Sequence, residues 1–349
     1  MAQAMISARP RLVYVMDDNR WVVNEIGKEV LSYFRKTYLV GLDTRAASYR
    51  KTVLHFPTPD LILNKQRYRH IHRSNRLLMT WTHGLPDNPD PAIRRRISDV
   101  KEGAVYLEKI HVMNQTARTF LIDLGIDEHK IVLIPHGVHT QKYQPATPEQ
   151  RIAIRATLGI PAEVICIGSF QKDSPGWDNT SMEPKWIKGP DVLADALIRL
   201  AKDVPIFVLL TSPSRRYLID RLTAARIPFR HDVLSNADDL IPYFHALDLY
   251  MLTSRDEGGP LDFLKAMSSG VPVVSTRMGM PADVIDHGRN GMLAEIDDVA
   301  QLVSAARTLI DDAECRARIG QAARETILSG YDWSTILEQY RELLYDPIL

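Results

Sequence analysis

Glu257 is followed at once by Gly258, Gly259 and Pro260, and the run from residue 263 to 276 then reads as a helix, a stop at Gly270 and an apolar strand. Residues 249–252 form a short apolar run just upstream, so 253–260 is a loop leading from a strand into a helix. Such a loop sets backbone N–H groups and the positive end of a helix at the carboxyl edge of a parallel strand, where α/β proteins bind phosphates. A carboxylate cannot itself favour a phosphate, but it accepts hydrogen bonds from hydroxyl groups. Glu257 beside this loop therefore points to a ligand that is part phosphate and part polyol. A plainer reading makes Glu257 an acid that favours the dipole of the next helix.

A second group carries the complementary charge. Gly168-Ser-Phe-Gln-Lys172 closes another apolar run, and Lys188-Gly189-Pro190-Asp191 opens the helix after it. A lysine just ahead of a helix N-terminus suits a diphosphate, because cation and helix dipole act together. Residues 173–187, with Trp177 and Trp186, separate Lys172 from Lys188. This insertion reads as a lid over the ligand, as part of a second substrate site, or as a packed surface loop.

The elements that must position these groups alternate in type. Strand candidates are residues 12–16, 38–42, 77–81, 111–113 and 131–134, then 164–168, 206–210, 249–252 and 271–275. Between the first two, Val22, Val23, Ile26, Val30, Leu31 and Phe34 recur at helical spacing. Near-continuous apolar strands imply burial on both faces, hence a parallel sheet covered by helices. The two series meet at the proline-rich stretch Tyr143-Gln-Pro-Ala-Thr-Pro148, followed by a helical run at 151–158, and that is a plausible domain boundary. A chain of 349 residues is long enough for two domains. After Gly330, which reads as a helix C-cap, Trp333, Ile336, Leu337, Tyr340 and Leu344 form a new apolar stripe.

Composition excludes several classes. Apolar residues make up 45% and charged residues 25%, as in ordinary globular proteins. With 43 basic and 43 acidic side chains the formal net charge is zero, so no global field draws in nucleic acid. Two cysteines, Cys166 and Cys315, give no disulfide framework, which fits a reducing cytosol. No run approaches the roughly 18 apolar residues of a spanning helix, and the first ten residues lack the apolar core of a signal peptide.

Taken together, Glu257-Gly-Gly-Pro, Leu264-Lys-Ala-Met, Ser269-Gly-Val-Pro-Val-Val-Ser-Thr276, Lys188-Gly and Gly288-Arg-Asn-Gly-Met-Leu-Ala294 resemble the signature of retaining glycosyltransferases of family 4, with the GT-B fold. The resemblance covers about residue 110 to the end with good specificity, and the first hundred residues in outline. It implies two Rossmann-like, doubly wound α/β domains facing a cleft. These are an acceptor domain over 1–150, a nucleotide-sugar donor domain over 151–330, and a terminal helix over 331–349 crossing back to the first domain. It also implies that Glu257 contacts the donor sugar and that the amides of Gly258 and Gly259, ahead of Pro260, hold the diphosphate. The resemblance likewise implies that Lys188 neutralises the leaving group. An arginine is usual where Ser169 stands, and Lys172 lies three residues further on. The ribose-holding glutamate eight positions after the first is replaced by Lys265. Three readings of that position stand: the ribose is held otherwise, with Asp262 substituting in part; the lysine pairs with a phosphate or with Glu257; or the site is impaired. His231 falls where backbone groups meet the nucleotide base.

In the first domain the resemblance places Thr82-His83-Gly84 where a histidine faces the donor sugar, although a lone histidine at a strand end is usually structural. The glycine-rich loop expected after strand one is replaced by Asp17-Asp-Asn-Arg-Trp21, whose two carboxylates read as a metal pair or, more often, as caps. His136 and His139, with His70 and His72, invite a zinc site, but no acidic or cysteine ligand accompanies them at a standard spacing. The basic run Lys65-Gln-Arg-Tyr-Arg-His-Ile-His-Arg73, with Arg76 and Arg94-Arg-Arg96, suits an anionic membrane or acceptor, or is a solvated face. The implied activity is metal-independent, retaining hexosyl transfer from a nucleoside diphosphate sugar to a glycan, lipid-linked or small-molecule acceptor. No cofactor or nucleic acid takes part, and the setting is cytoplasmic with possible peripheral membrane contact. The alternative is a catalytically degenerate GT-B protein acting as a binding or partner subunit.

Overall fold

The computed structural model describes residues 11–16, 22–174, 176 and 180–349. Asp17 and Asp18, read as a metal pair or caps, and Trp177 of the insertion lie outside the described residues. Contacts divide the chain into two units, Met1–Pro135 with Ser334–Leu349, and His136–Trp333.

The first unit is a six-stranded parallel sheet. Its strands are β1 (Arg11–Val15), β2 (Leu39–Asp43), β3 (Val53–Phe56), β4 (Arg76–Trp81), β5 (Lys109–Val112) and β6 (Ile131–Leu133), in the order β2-β1-β3-β4-β5-β6. Helices α1 (Val22–Phe34), α2 (Pro91–Gly103) and α3 (Gln115–Asp123) connect them. In α1 the helical spacing is borne out by the buried Val23, Ile26, Val30 and Phe34. Asp90 and Asn114 start the other two helices by accepting hydrogen bonds from the amides of Ala92 and Ala117, both at 2.8 Å.

β3 escapes the sequence reading because His55 sits in its middle. The imidazole is fully buried, yet both nitrogens are satisfied: Nδ1 lies 2.8 Å from the Tyr345 hydroxyl and Nε2 2.8 Å from Thr80 Oγ1. Thr80 lies 3.0 Å from His111 Nδ1, and His111 Nε2 donates to the Ile134 carbonyl at 2.8 Å. A polar chain with every member paired can occupy a core. Tyr340, Leu344 and Tyr345, from the C-terminal segment, complete this core and are buried.

The second unit starts with α4 (Pro148–Thr157), whose N-terminus carries a reciprocal Thr147–Gln150 cap. Its sheet consists of β7 (Ile165–Ser169), β8 (Ile206–Thr211), β9 (Phe229–Asp232), β10 (Leu249–Leu252), β11 (Val273–Thr276) and β12 (Met292–Ala294). All are parallel, in the order β12-β11-β10-β7-β8-β9. Helices α5 (Pro190–Leu200), α6 (Arg216–Ala224), α7 (Ile241–Ala246), α8 (Leu261–Ser268), α9 (Gly279–Val284), α10 (Val299–Asp311) and α11 (Ala313–Gly330) complete the unit, and α12 (Trp333–Gln339) starts at its last residue. Gly330 is the last helical residue of α11, and the cap falls on Tyr331. That corrects the expected cap by one position, since the chain needs no left-handed residue to leave the helix there.

The strand order has one functional consequence. From β7 the chain winds outward through β8 and β9, then returns to the other side of β7 with β10. The loops that leave β7 and β10 therefore diverge and open a crevice at the carboxyl ends of two adjacent strands.

Candidate functional site

Both sequence-predicted charged groups lie in that crevice. Lys188 ends a 3-10 turn, Trp186–Lys188, and Gly189 then turns the chain into α5 with φ +58°. A β-carbon on Gly189 would lie 2.0 Å from the Thr253 carbonyl oxygen, so only glycine fits. The Thr253 hydroxyl donates to the Gly189 carbonyl at 2.8 Å, which joins the loop after β10 to the start of α5. Arg255 tightens the same seam. Its amide donates to Ile187 at 2.9 Å, and its guanidinium grips both oxygens of Asp191 (2.9 and 2.6 Å), Asp297 (2.7 Å) and the Trp186 carbonyl (2.9 Å).

Across the seam, the Lys188 ammonium pairs with the Glu257 carboxylate, with side chains only 19% and 11% exposed. The Ser254 hydroxyl donates to the other carboxylate oxygen and lies 3.1 Å from Gln171 Oε1. The Gln171 amide in turn donates to the Lys188 carbonyl at 3.0 Å. Gly279, at φ +47°, keeps room for the backbone of Glu257, since a β-carbon there would lie 1.9 Å from its carbonyl oxygen. Lys172 donates to the Gly176 carbonyl at 2.9 Å. Burial first, and then the nearby Lys188 charge, pull its pKa down. Two ammonium groups thus lie close enough to repel, and an arriving anion would relieve that repulsion.

Other predicted residues are spread around this centre. Gly258 is buried, Gly259 and Pro260 are half-buried, and Pro260 precedes the first turn of α8. Lys265 pairs with Asp262 one turn earlier, at 3.1 Å, and lies over the Tyr143 ring at 5.8 Å. His231 is a residue of β9, and its Nε2–H donates to the Ser212 carbonyl at 2.8 Å. Ser169 is buried at the end of β7. His83 belongs to the first unit, where its Nε2 lies 3.3 Å from the Arg96 guanidinium.

Four residues of the site left no local signal. Gln171 and Arg255 act through partners distant in sequence, and Ser254 joins Gln171, far away in the chain, to Glu257 three residues on. Arg215 is the fourth: fully buried, it pairs with Asp173 at 3.0 Å and reaches within 3.4 Å of the Ser169 hydroxyl. A guanidinium from the start of α6 thus lies beside the serine that stands where an arginine was expected. The loop that delivers it holds Ser212 and Ser214 at φ +76° and +59°, a conformation unusual for side chains larger than hydrogen. Among the described residues, no group of three or more His, Cys, Asp or Glu gathers to hold a metal ion, and no helix is long and apolar enough to cross a membrane.

Residues 180–312 match the sequence model for glycosyl transferases group 1. Over that segment, less than half of its length, the chain is similar to this family. It is 31% identical to N-acetyl-alpha-D-glucosaminyl L-malate synthase of Bacillus anthracis over 44% of this chain and 38% of that protein. It is 26% identical to D-inositol 3-phosphate glycosyltransferase of Corynebacterium urealyticum over 66% of this chain and 55% of that one. The chain thus spans about half the length, or less, of these relatives. Among solved structures, Anabaena HepE in complex with UDP and glucose superposes with a TM-score of 0.78, covering 96% of this chain and 99% of the other at 19% identity. That likeness, with two six-stranded parallel sheets, gives the GT-B fold. The matched segment contains Lys188, Gly189, Glu257 and Lys265, but neither Ser169 nor Lys172.

Proposed function

We propose that the protein is a retaining, metal-independent glycosyltransferase that moves a hexosyl group from a nucleoside diphosphate sugar to an acceptor hydroxyl. The observation that carries this reading is the Lys188–Glu257 ion pair at the switch point of the second sheet. Each partner is matched to one half of the donor. On binding, Lys188 turns to the diphosphate, and Glu257 is released to accept hydrogen bonds from the sugar hydroxyls. The amides of Gly258 and Gly259 hold phosphate oxygens, while Asp262 lies on the ribose side and His231 on the side of the base.

As the bond between the anomeric carbon and the phosphate oxygen breaks, negative charge grows on the diphosphate. Lys188 and Lys172 stabilise that charge more strongly than the ground state, which is what lowers the barrier. The acceptor oxygen attacks from the same face, and its proton passes to the departing phosphate oxygen. His83 stands at the reacting centre in this scheme.

HepE was solved with UDP and glucose, which makes UDP-sugars the first donors to try. With an active donor, Lys188→Ala lowers kcat/KM by about 10²–10³, and the anomeric configuration of the product, read by NMR, matches that of the donor. Unchanged turnover in the variant, or an inverted product, contradicts the reading.

A second reading rests on Lys265. Its ion pair with Asp262 occupies a carboxylate on the ribose side, which favours a binding or partner subunit without turnover. Lys265→Glu then gains nucleotide affinity or activity, whereas in a working enzyme it gains neither.

A further inference from the structure

The first unit holds a cavity of about 580 Å³ against the first two turns of α2. Ala92, Arg95, Arg96 and Asp99 form one wall, at the 3–4 residue spacing of a single helix face. Asp60, Asn64 and Gln66, from the 3-10 turns after β3, form the other. Both walls begin shortly after the carboxyl ends of strands β3 and β4, the edge at which open parallel sheets hold ligands. The volume is that of a small-molecule site, about 300–1,000 Å³. Gln66 is held at φ +52°, a strained backbone of the kind retained at ligand sites.

The charges of this lining cancel. Arg96 grips Asp60 with two hydrogen bonds, at 2.6 and 2.5 Å, and Arg95 lies 3.9 Å from Asp99. An anion would meet the carboxylates of Asp60 and Asp99, and a cation would meet both guanidiniums. A neutral molecule rich in hydroxyls has neither conflict. It donates to the carboxylates and accepts from the guanidiniums and from the carboxamides of Asn64 and Gln66. Arg96 also leaves the cavity, reaching to 3.3 Å from His83 Nε2. It therefore links the cavity to the histidine placed at the reacting centre.

We propose that this cavity is the acceptor subsite and takes an uncharged polyol of monosaccharide size. Only the word acceptor rests on the glycosyltransferase reading; polyol binding does not. The test is saturation-transfer NMR on the full chain with myo-inositol and methyl α-glucoside, against myo-inositol 1-phosphate and glucuronate. Ala92→Trp fills the cavity from an exposed helix position, and Asn64→Trp fills it from the opposite wall should the first variant fold poorly. UDP-induced thermal stabilisation is followed in parallel. The neutral polyols give signal with the wild type, and that signal is abolished in the filled variants while the UDP response stays. Anionic polyols binding as well as neutral ones, signal persisting in the filled variants, or no polyol signal at all beside a normal UDP response would each overturn the inference. In those cases the glycosyltransferase reading stands. Polyol binding with no response to any nucleotide supports the cavity as a polyol site and removes its acceptor role together with that reading.

Discussion

Two lysines near each other set the titration of the proposed donor site. Burial and the Lys188 charge hold the Lys172 ammonium below its ordinary range, so the free protein releases that proton earlier than an exposed lysine does. A bound diphosphate favours the charged form and pulls the proton back. Nucleotide affinity therefore falls as pH rises through the free-state pKa of Lys172, and this fall starts below pH 10.5, the ordinary lysine value. Calorimetric titration of the wild type from pH 7 to 10 checks this, and an affinity that stays constant over that range would contradict it. Glu257, Lys188 and Lys172 were legible in the sequence because each sits beside a glycine or a strand end that marks a loop. Arg215 was not, because nothing near it in sequence says that its guanidinium lies beside Ser169.

Among the elements, the site depends on a seam between two loops more than on any helix. Gly189 at φ +58° and the Arg255 hub hold the start of α5 against the loop after β10. Gly189→Ala adds left-handed strain and a methyl group against the Thr253 carbonyl, and it costs about 2–4 kcal/mol. The expected result is a lower Tm with the nucleotide response lost, although Lys188 and Glu257 are both still present. Wild-type Tm and response in that variant would contradict the seam. Strands with unbroken apolar runs, such as β8 and β10, could be read directly. β3 and β9 could not, because His55, His231 and Asp232 interrupt them and their polar partners come from elsewhere in the chain. β12 is three residues long and follows a turn, so the sequence showed only the turn.

On the scale of the whole molecule, the polar chain inside the first unit sets its tolerance of acid. Burial lowers the pKa of His111 to about 4 and holds that of His55 well below 6.5. Above 6.5 the unfolded chain also carries neutral histidines, and this stability is fully present. As pH falls from there toward 4, the unfolded chain binds protons that the folded unit refuses, and stability is lost. His111 alone accounts for about 3 kcal/mol by pH 4. Calorimetric scans between pH 7.5 and 4 should show a falling first transition, with a shallower slope in His111→Gln; equal slopes would contradict this account.

The donor site is the centre of the functional reading, and its most direct test is thermal stabilisation by UDP, GDP, dTDP, CDP and ADP, on the wild type and on Lys188→Ala. A nucleotide at a hundredfold excess over its Kd stabilises the wild type by about 3 kcal/mol. The account predicts that shift with one of the five and its loss in the variant. No shift with any of them, or an equal shift in the variant, would contradict a donor site built on the Lys188–Glu257 pair.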